Sequence, residues 1–200
     1  MPSLPPTLEG LLVRLEPLTP EYVPDLVEVG LEPSTWRWNT RRMVTGDDMR
    51  QYVEEAIAER DRGDSIPFAI VLKDSGRAIG STRYGAISRE HRRLEIGWTW
   101  IGTPWQRTRV NSECKLLLMT HAFEELRCRR LELKTDAMNE TSRRAILRLG
   151  AKEEGILRSH MIAHDGRVRD TVYYSILADE WPEVKEALVR RMEAYDGANA

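Results

Sequence analysis

Residues 91–136, HRRLEIGWTWIGTPWQRTRVNSECKLLLMTHAFEELRCRRLELKTD, decide how this chain folds. The pattern predicts an aromatic strand over 91–101, a loop over 102–111, a helix to about 127 and a strand over 131–136. Apolar residues on two sides of the helix predict that it packs between other elements. A helical crossover makes the two strands it joins parallel, so we expect a parallel pair at the fourth and fifth strands of the chain.

Outside this segment, short strands alternate with helices. In chain order the remaining elements are predicted to be a strand, two helices, two strands, a helix, a strand hairpin and a closing helix: 10–18, 20–30, 47–62, 66–73, 77–88, 139–149, 156–163, 168–177 and 179–195. Asp165-Gly166 marks the turn of the hairpin. This order predicts an α/β fold of the α+β kind, with a mixed, mostly antiparallel sheet and helices on both faces.

Composition and charge limit the class of protein. With 200 residues, 41% hydrophobic and 31% charged, the chain is neither disordered nor a membrane bundle. We expect one domain over residues 10–195, a flexible arm over 1–9 and a flexible tail over 196–200. The net charge of -2 gives no overall attraction to nucleic acid, and no segment predicts a signal peptide or a membrane span. Cys114 and Cys128 indicate reduced thiols, so we expect a cytoplasmic protein.

The loop before the predicted central helix is a candidate anion site. Backbone N–H groups at the start of a helix have no intrahelical acceptor, and the helix dipole favours negative charge there. Arg107, Arg109 and Lys115, against Glu113, give residues 105–115 a net charge of +2. The alternative is that these are ordinary solvated cations in a chain where only 5 of 30 basic residues are lysine. From the residues alone, both interpretations stay open.

Short motifs follow one another in a specific order along most of the chain. They are Leu94-Glu-Ile-Gly-Trp98, Trp105-Gln-Arg-Thr-Arg-Val-Asn111, Leu133-Lys-Thr-Asp136, Asn139-Glu-Thr-Ser142, Arg148-Leu-Gly-Ala151, Glu154-Gly-Ile-Leu-Arg158 and Glu180-Trp-Pro182. Together they resemble the GNAT acetyltransferase superfamily, most closely its RimJ/RimL-type branch. The resemblance implies a GNAT-like fold and an N-acetyltransferase that uses acetyl-CoA. The acceptor is a primary amine, either a protein N-terminus or a small molecule, and it attacks the thioester directly.

The resemblance also implies residues that bind coenzyme A. They are Trp98, Thr99, Trp100, Ile101, Gln106, Arg107, Thr108, Arg109, Val110, Asn111, Asn139 and Ser142. The family's loop motif, Q/R-x-x-G-x-G/A, matches at Gln106, but Arg109 replaces its first glycine and Asn111 its last small residue. We expect the Arg109 guanidinium to take over part of the pyrophosphate binding. A backbone N–H of residues 98–101 is implied to stabilise the charge that develops on the thioester oxygen.

Two catalytic residues are implied in the same way. Glu95 matches a strand glutamate proposed as general base, and Ser142 matches a serine that bonds the cofactor or protonates the leaving thiolate. A modest base suits an α-amine, with a pKa of about 7.7, more easily than a lysine near 10.4. Two alternatives stay open. In the first, Glu95 is a structural partner of Arg83, Arg92 or Arg93. In the second, Ser142 packs on the helix beneath it.

The resemblance places the loop between the first two helices at the border of the acceptor pocket. Trp36, Trp38 and Tyr84 are therefore candidate acceptor-binding residues. Aromatic residues also fill cores, and this alternative stays open for all three. Trp98 and Trp100 flank Thr99, and core packing is the expectation for both indole rings.

Two classes of function remain. The first is the acetyltransferase, and the second is a non-catalytic acyl-CoA-binding sensor with a GNAT-like fold. Arg109 in place of a glycine and Ile146 in place of a tyrosine acid keep the second class open. We expect no metal site, no nucleic-acid partner and no membrane partner. The sequence does not fix the oligomeric state, a homodimer being one option.

Overall fold

The computed structural model describes residues 5–197 and contains an eight-stranded sheet. The strands are β1 (Leu8–Glu9), β2 (Val13–Pro17), β3 (Ile66–Leu72), β4 (Ala78–Ser88), β5 (Arg93–Ile101), β6 (Arg130–Asp136), β7 (Lys152–Ile162) and β8 (Val168–Leu177). The helices are α1 (Val23–Gly30), α2 (Pro33–Trp36), α3 (Gly46–Arg62), α4 (Arg109–Thr120), α5 (Glu140–Arg148) and α6 (Trp181–Gly197). A π turn, His121–Glu125, continues α4.

The strands lie in the order β1-β2-β3-β4-β5-β6-β8-β7. Neighbouring strands are antiparallel except for β5 and β6, which are parallel. The connection between these two runs through α4, as the crossover rule requires. The predicted mixed sheet and its parallel pair are therefore confirmed.

Alternate residues of the strands pack against two separate layers of helices. On one side, here called the α4 face, Ile70 of β3 belongs to a core that includes Leu118 of α4. On the other side, here called the α3 face, Val71 of β3 belongs to a core that includes Val53 of α3. Because both sides of β3 are covered, its sequence is a continuous apolar run rather than an alternating one.

The N-terminal end is more ordered than a flexible arm over residues 1–9. β1, which lies inside that range, pairs with β2 at the edge of the sheet. The turn between the two strands is also held, because the Glu113 carboxylate on α4 accepts hydrogen bonds from the amides of Leu11 and Leu12. Residues 1–4 of the predicted arm and 198–200 of the predicted tail lie outside the described residues.

Other element boundaries also differ from the sequence prediction, as three examples show. β7 begins at Lys152 rather than at residue 156, because a register shift beside Gly155 breaks the alternation that marks a strand. The single helical turn α2 lies within a stretch predicted as loop. α6 continues to Gly197, into the predicted tail 196–200.

β5 and β6 are paired for only part of their length. Their parallel register joins residues 93–95 to residues 130–132. Beyond this point β5 stays paired with β4, and β6 stays paired with β8 as far as Asp136. Within the described residues, the facing edges of 96–101 and 133–136 have no strand partner. The sheet is therefore split between them, and this opening is here called the gap.

Candidate active site

A bulge in β5 decides on which face its side chains lie. Between its pairs with Arg83 and Ser81 of β4, β5 has one residue more than β4. Trp98 takes a positive φ of 52° there, a conformation that costs a residue with a side chain roughly 1–2 kcal/mol. The extra residue reverses the alternation of the strand. Glu95 therefore lies on the α3 face, whereas Thr99 lies on the α4 face.

Glu95 is buried on the α3 face at the point where the gap opens. It is 2% exposed, and Lys134 Nζ of β6 lies 2.9 Å from its Oε2, so the ion pair bridges the two strands. Burial raises the pKa of Glu95, and the nearby charge of Lys134 opposes that rise. The structural alternative of a pair with Arg83, Arg92 or Arg93 is wrong, because Lys134 is the partner.

Trp98 lies at the surface of the α3 face. Its side chain is 44% exposed, and its ring covers Gly85, where an added Cβ would meet the ring at 2.4 Å. The Arg83 guanidinium lies 5.3 Å and the Lys134 ammonium 5.6 Å from the ring centre, within range of cation–π attraction. The prediction of core packing is wrong for Trp98, because the bulge turns its ring out of the core. It is confirmed for Trp100, which is buried.

A cavity of about 240 Å³ lies beside the Trp98 ring. Its walls are Arg41, Tyr52, Glu55, Glu59, Arg83 and Trp98. Arg83 is almost fully buried, pairs with Glu59 at 2.8 Å and stacks 5.0 Å from the Tyr52 ring. Sequence reasoning missed this cavity. The signal that could have found it is an arginine inside β4, since an arginine is rarely buried without a partner.

Two of the three predicted acceptor residues lie in cores. Trp36 is buried on the α3 face, with its ring centre 5.3 Å from that of Trp100. Tyr84 is fully buried on the α4 face and donates a hydrogen bond to the Leu118 carbonyl at 2.6 Å. Both satisfy the alternative interpretation as core aromatics, so we withdraw them as acceptor contacts. Trp38 is partly exposed and stays a candidate.

Lys115 of α4 lies on the opposite face of β5 from Glu95. Its Nζ donates to Thr99 Oγ1 at 2.8 Å, and Thr99 Oγ1 lies 2.7 Å from Thr82 Oγ1. Burial lowers the pKa of Lys115 to about 8, although the charge of Glu95 opposes that change. Sequence analysis counted Lys115 with the cations of the anion-binding loop, but the fold places its ammonium group against β5.

The predicted phosphate loop is tied to the end of β5 and to the start of α4. Gln106 Nε2 donates to the Ile101 carbonyl at 2.9 Å. Thr108 caps α4, because its Oγ1 accepts the Val110 N–H at 3.3 Å. The loop therefore delivers the helix N-terminus to the end of the strand that borders the gap.

Arg109 is the first residue of α4, so its backbone is helical and a side chain fits there without strain. The positive φ of the loop, 62°, falls on Arg107 instead. In the first turn of a helix the amides of residues such as Arg109 and Asn111 have no intrahelical acceptor. The missing glycine of the family motif therefore does not prevent the helix N-terminus from forming.

Asn139 and Ser142 lie at the carboxyl end of β6, at the start of α5. Asn139 Oδ1 accepts the Ser142 N–H at 3.1 Å and so caps the helix. The Asn139 amide in turn donates to the Asp136 carbonyl at the end of β6, at 3.0 Å. Ile146, at the position of the family tyrosine, is buried in the core of the α4 face.

Residues 5–197, the part of the chain that the structure describes, contain neither a metal-binding cluster nor a membrane-spanning helix. In that range no group of three His, Cys, Asp or Glu side chains is placed to hold a metal ion. Its helices include none that is both long and apolar enough to cross a membrane. The two cysteines are free and buried, and burial raises the pKa of Cys114 to about 12.

The chain is similar to acetyltransferases in sequence and in fold. A family model described as an acetyltransferase (GNAT) domain matches residues 13–152. YoaA of Bacillus subtilis, named as an uncharacterized N-acetyltransferase, is 33% identical over 122 residues, which are 61% of this chain and 67% of YoaA. A GCN5-related N-acetyltransferase from Brucella melitensis is 31% identical with a TM-score of 0.85, over 92% of this chain and 84% of its own. Mycobacterium smegmatis RimJ, solved in complex with CoA-disulfide, shares the fold with a TM-score of 0.81 and 22% identity. The match covers 94% of this chain and 96% of the RimJ chain.

Proposed function

The chain belongs to the GNAT acetyltransferase family, and we propose that it moves an acetyl group from acetyl-CoA to a primary amine. The observation that carries the proposal is the gap, which joins a buried carboxylate on one face to a helix N-terminus on the other. When bound, acetyl-CoA supplies the acetyl group as a thioester. The chain's own residues have to hold it, orient it and accept a proton from the amine.

The residues around the gap fit a coenzyme with a pyrophosphate and an amide-bearing arm. The amides of Arg109 and Asn111 and the positive end of the α4 dipole suit the pyrophosphate. The guanidinium groups of Arg107 and Arg109 add charge at the same place. The unpaired edge of residues 96–101 offers backbone N–H and C=O groups, which need partners and suit the amides of the arm.

We assign Glu95 the role of general base. As the amine attacks, it loses a proton that the carboxylate accepts directly or through a water molecule. Burial raises the pKa of Glu95 and makes its carboxylate a stronger base than an exposed one, while the charge of Lys134 favours the ionised form. An α-amine with a pKa of about 7.7 needs less help than a lysine near 10.4, so a peptide N-terminus or a small amine is the favoured acceptor.

The cavity beside Trp98 is the proposed acceptor site. At about 240 Å³ it holds roughly eight waters, since a water takes about 30 Å³ in the liquid, so it suits one side chain or a small amine. Its carboxylates, Glu55 and Glu59, are each paired with an arginine, which leaves the walls polar but close to neutral. We therefore expect the acceptor to be chosen by hydrogen bonding and shape more than by net charge.

Attack is proposed to be direct, with no acetyl group carried on the enzyme. Cys114, one of the two cysteines, is fully buried in the core, and its raised pKa keeps the thiol neutral. A neutral, enclosed thiol is a poor nucleophile. Glu95 beside the gap is better placed to serve an amine that enters from the α3 face.

A thiol-release screen tests the proposal. The protein is incubated with acetyl-CoA and with peptides that differ in their first residue, beside versions with a blocked α-amine, and with small amines. Mass spectrometry then locates the acetyl group. Release of thiol that requires a free amine, and that is lost in Glu95→Gln, supports the proposal. Binding of acetyl-CoA without release over any acceptor contradicts it and favours the non-catalytic acyl-CoA sensor.

A further inference from the structure

Lys115 is a buried cation that the proposed chemistry of Glu95 does not use. It is 7% exposed, and in the part of the chain that the structure describes no carboxylate forms an ion pair with it. Its ammonium group donates a hydrogen bond to a neutral group, the hydroxyl of Thr99. A buried charge without an opposite charge is costly, so a negative charge brought by a ligand would gain much from it.

The groups around Lys115 come from three elements. Thr99 of β5 and Thr82 of β4 form a pair of hydroxyls against it. Glu95, on the far face of β5, acts on it through charge but is bound across the gap by another lysine. Cys114, its neighbour on α4, stays a neutral thiol because burial raises its pKa to about 12. Lys115 is therefore a buried cation on the α4 face that is joined by one hydrogen bond to Thr99, a residue of the unpaired stretch of β5.

We propose that Lys115, acting through the Thr99 hydroxyl, stabilises negative charge on the coenzyme A sulfur. This inference rests on the proposed function, because it is the gap that would bring the thioester alongside Thr99. An ammonium group only donates hydrogen bonds, so Thr99 Oγ1 accepts the hydrogen bond from Lys115. The hydroxyl hydrogen of Thr99 can then be donated to another acceptor. In the structure the acceptors within reach of that hydroxyl are Thr82 Oγ1 and, at 3.5 Å, the Gly97 carbonyl. An anionic sulfur is a stronger acceptor than either.

The proposed role divides the charges of the reaction between the two faces. On the α3 face Glu95 receives the proton that the acceptor nitrogen loses as the C–N bond forms. On the α4 face Thr99 and Lys115 face the sulfur as it takes the electron pair of the breaking C–S bond. Glu95 later returns its proton to water, and the released thiolate takes one from water, so protons balance. Lys115 touches Thr99 rather than the reacting atoms, which makes it a positioning residue.

The same arrangement accounts for the missing tyrosine. Ile146 offers no hydroxyl to the leaving group, and its side chain is buried in the core of the α4 face. The charge of Lys115 on α4, acting through Thr99, would stabilise the leaving sulfur in place of a tyrosine hydroxyl on α5. It does so by holding the sulfur as an anion rather than by protonating it.

Binding of coenzyme A and of desulfo-coenzyme A, which lacks the thiol, tests the inference without turnover. Titration calorimetry near neutral pH, in buffers of different ionisation heat, measures affinity and proton release together. The wild type should bind coenzyme A about tenfold more tightly than desulfo-coenzyme A and should release more protons with the former, because the two ligands differ only in the thiol. Ultraviolet absorbance of the bound thiolate gives a second readout. Lys115→Met should bring the affinity ratio near one and remove the excess proton release seen with coenzyme A.

Matched variants separate this role from a structural one. Thr99→Val keeps the shape of the side chain but removes the hydroxyl, so it should behave like Lys115→Met. It therefore tests the inference even if Lys115→Met does not fold. Thr99→Ser and Lys134→Met, which keep the hydroxyl and the α4-face cation, should retain the preference. Equal affinities in the wild type, or a preference that survives Lys115→Met, overturns the inference alone. Failure of the wild type to bind either ligand contradicts the proposed function itself.

Discussion

The two faces of the gap hold buried charge in different ways. On the α3 face the charges lie in opposite pairs, Glu95 with Lys134 and Arg83 with Glu59. On the α4 face Lys115 meets a hydroxyl, and the described residues give it no carboxylate partner. A paired charge is held in place and favoured in its ionised form, whereas an unpaired one gains most when a ligand brings its counter-ion. This difference in charge pairing supports a division of roles. We assign proton transfer to the α3 face and stabilisation of the leaving group to the α4 face.

The largest effect is expected at Glu95. Glu95→Gln keeps the size of the side chain but cannot accept a proton, so kcat should fall by about 10²–10⁴-fold. Coenzyme A affinity should stay near that of the wild type, because the residue lies on the other side of the gap from the α4 N-terminus. Steady-state kinetics and calorimetry on the same preparation measure both quantities.

Lys134→Met is the matched control for that prediction. It keeps the base and removes the cation that holds it ionised, so the pKa of Glu95 should rise further. Since the base works when it is ionised, the acid limb of the rate profile should move to higher pH in Lys134→Met and vanish in Glu95→Gln. If Glu95→Gln kept the wild-type profile, Glu95 would be a structural residue and the comparison of the two faces would fail.

A smaller effect is expected in the stability of Lys115→Met. The pKa of Lys115 is lowered by burial to about 8, so below that pH its charge costs the folded state about 3 kcal/mol relative to an ordinary lysine near 10.4. The variant should be more stable than the wild type by about that amount at pH 7. Between pH 8 and 10.5 the unfolded wild type binds more protons than the folded form, so wild-type stability rises and the difference closes.

Urea unfolding of both proteins across that pH range measures the difference. Only the difference is informative, because Cys114 titrates in the opposite sense. Its raised folded pKa makes stability fall as pH rises above the pKa of an ordinary thiol. Subtracting the two curves leaves only the part of that contribution that depends on the charge of Lys115, which lowers the pKa of Cys114 in the wild type. A wild type that is as stable as Lys115→Met at pH 7 would mean that the α4 face supplies a counter-charge, and the contrast between the faces would disappear.

The sequence predicted those parts of the molecule that local patterns encode. The parallel pair, the strand that carries Glu95 and the helix that starts beside Asn111 all follow from periodicity and the crossover rule. The GNAT resemblance is confirmed by the family match over residues 13–152. The bulge at Trp98 was not predicted, because no pattern of apolar residues marks an extra residue in one strand.

The contacts that distinguish the two faces were also beyond the sequence. Lys115 and Thr99 are 16 residues apart and meet only because α4 folds back over β5. Arg83 meets Glu59 across 24 residues through the packing of α3 on the sheet. Such partners depend on the tertiary structure. The sequence pattern around a residue predicts the helix or strand to which it belongs, but not the residue that it meets on another element. For the same reason the sequence suggests an arginine partner for Glu95, whereas the fold supplies Lys134.

The smallest effect is expected at the bulge that separates the faces. Because Trp98 has a positive φ, alanine there keeps the backbone strain, whereas glycine relieves it. Trp98→Gly should therefore be more stable than Trp98→Ala by about 1 kcal/mol, the reverse of the usual order inside a strand. Urea unfolding of the two variants measures the difference.

Thr99 provides the matched position, since it is the next residue of the same strand and its φ is not positive. There the ordinary order should hold, with Thr99→Ala more stable than Thr99→Gly by about 0.5–1 kcal/mol. Opposite signs at two adjacent residues would locate the strain at the bulge, which is the step that turns Glu95 and Thr99 to different faces. The same sign at both would mean that β5 reaches the gap without strain at Trp98, so that the division of charge between the faces would not depend on a strained residue.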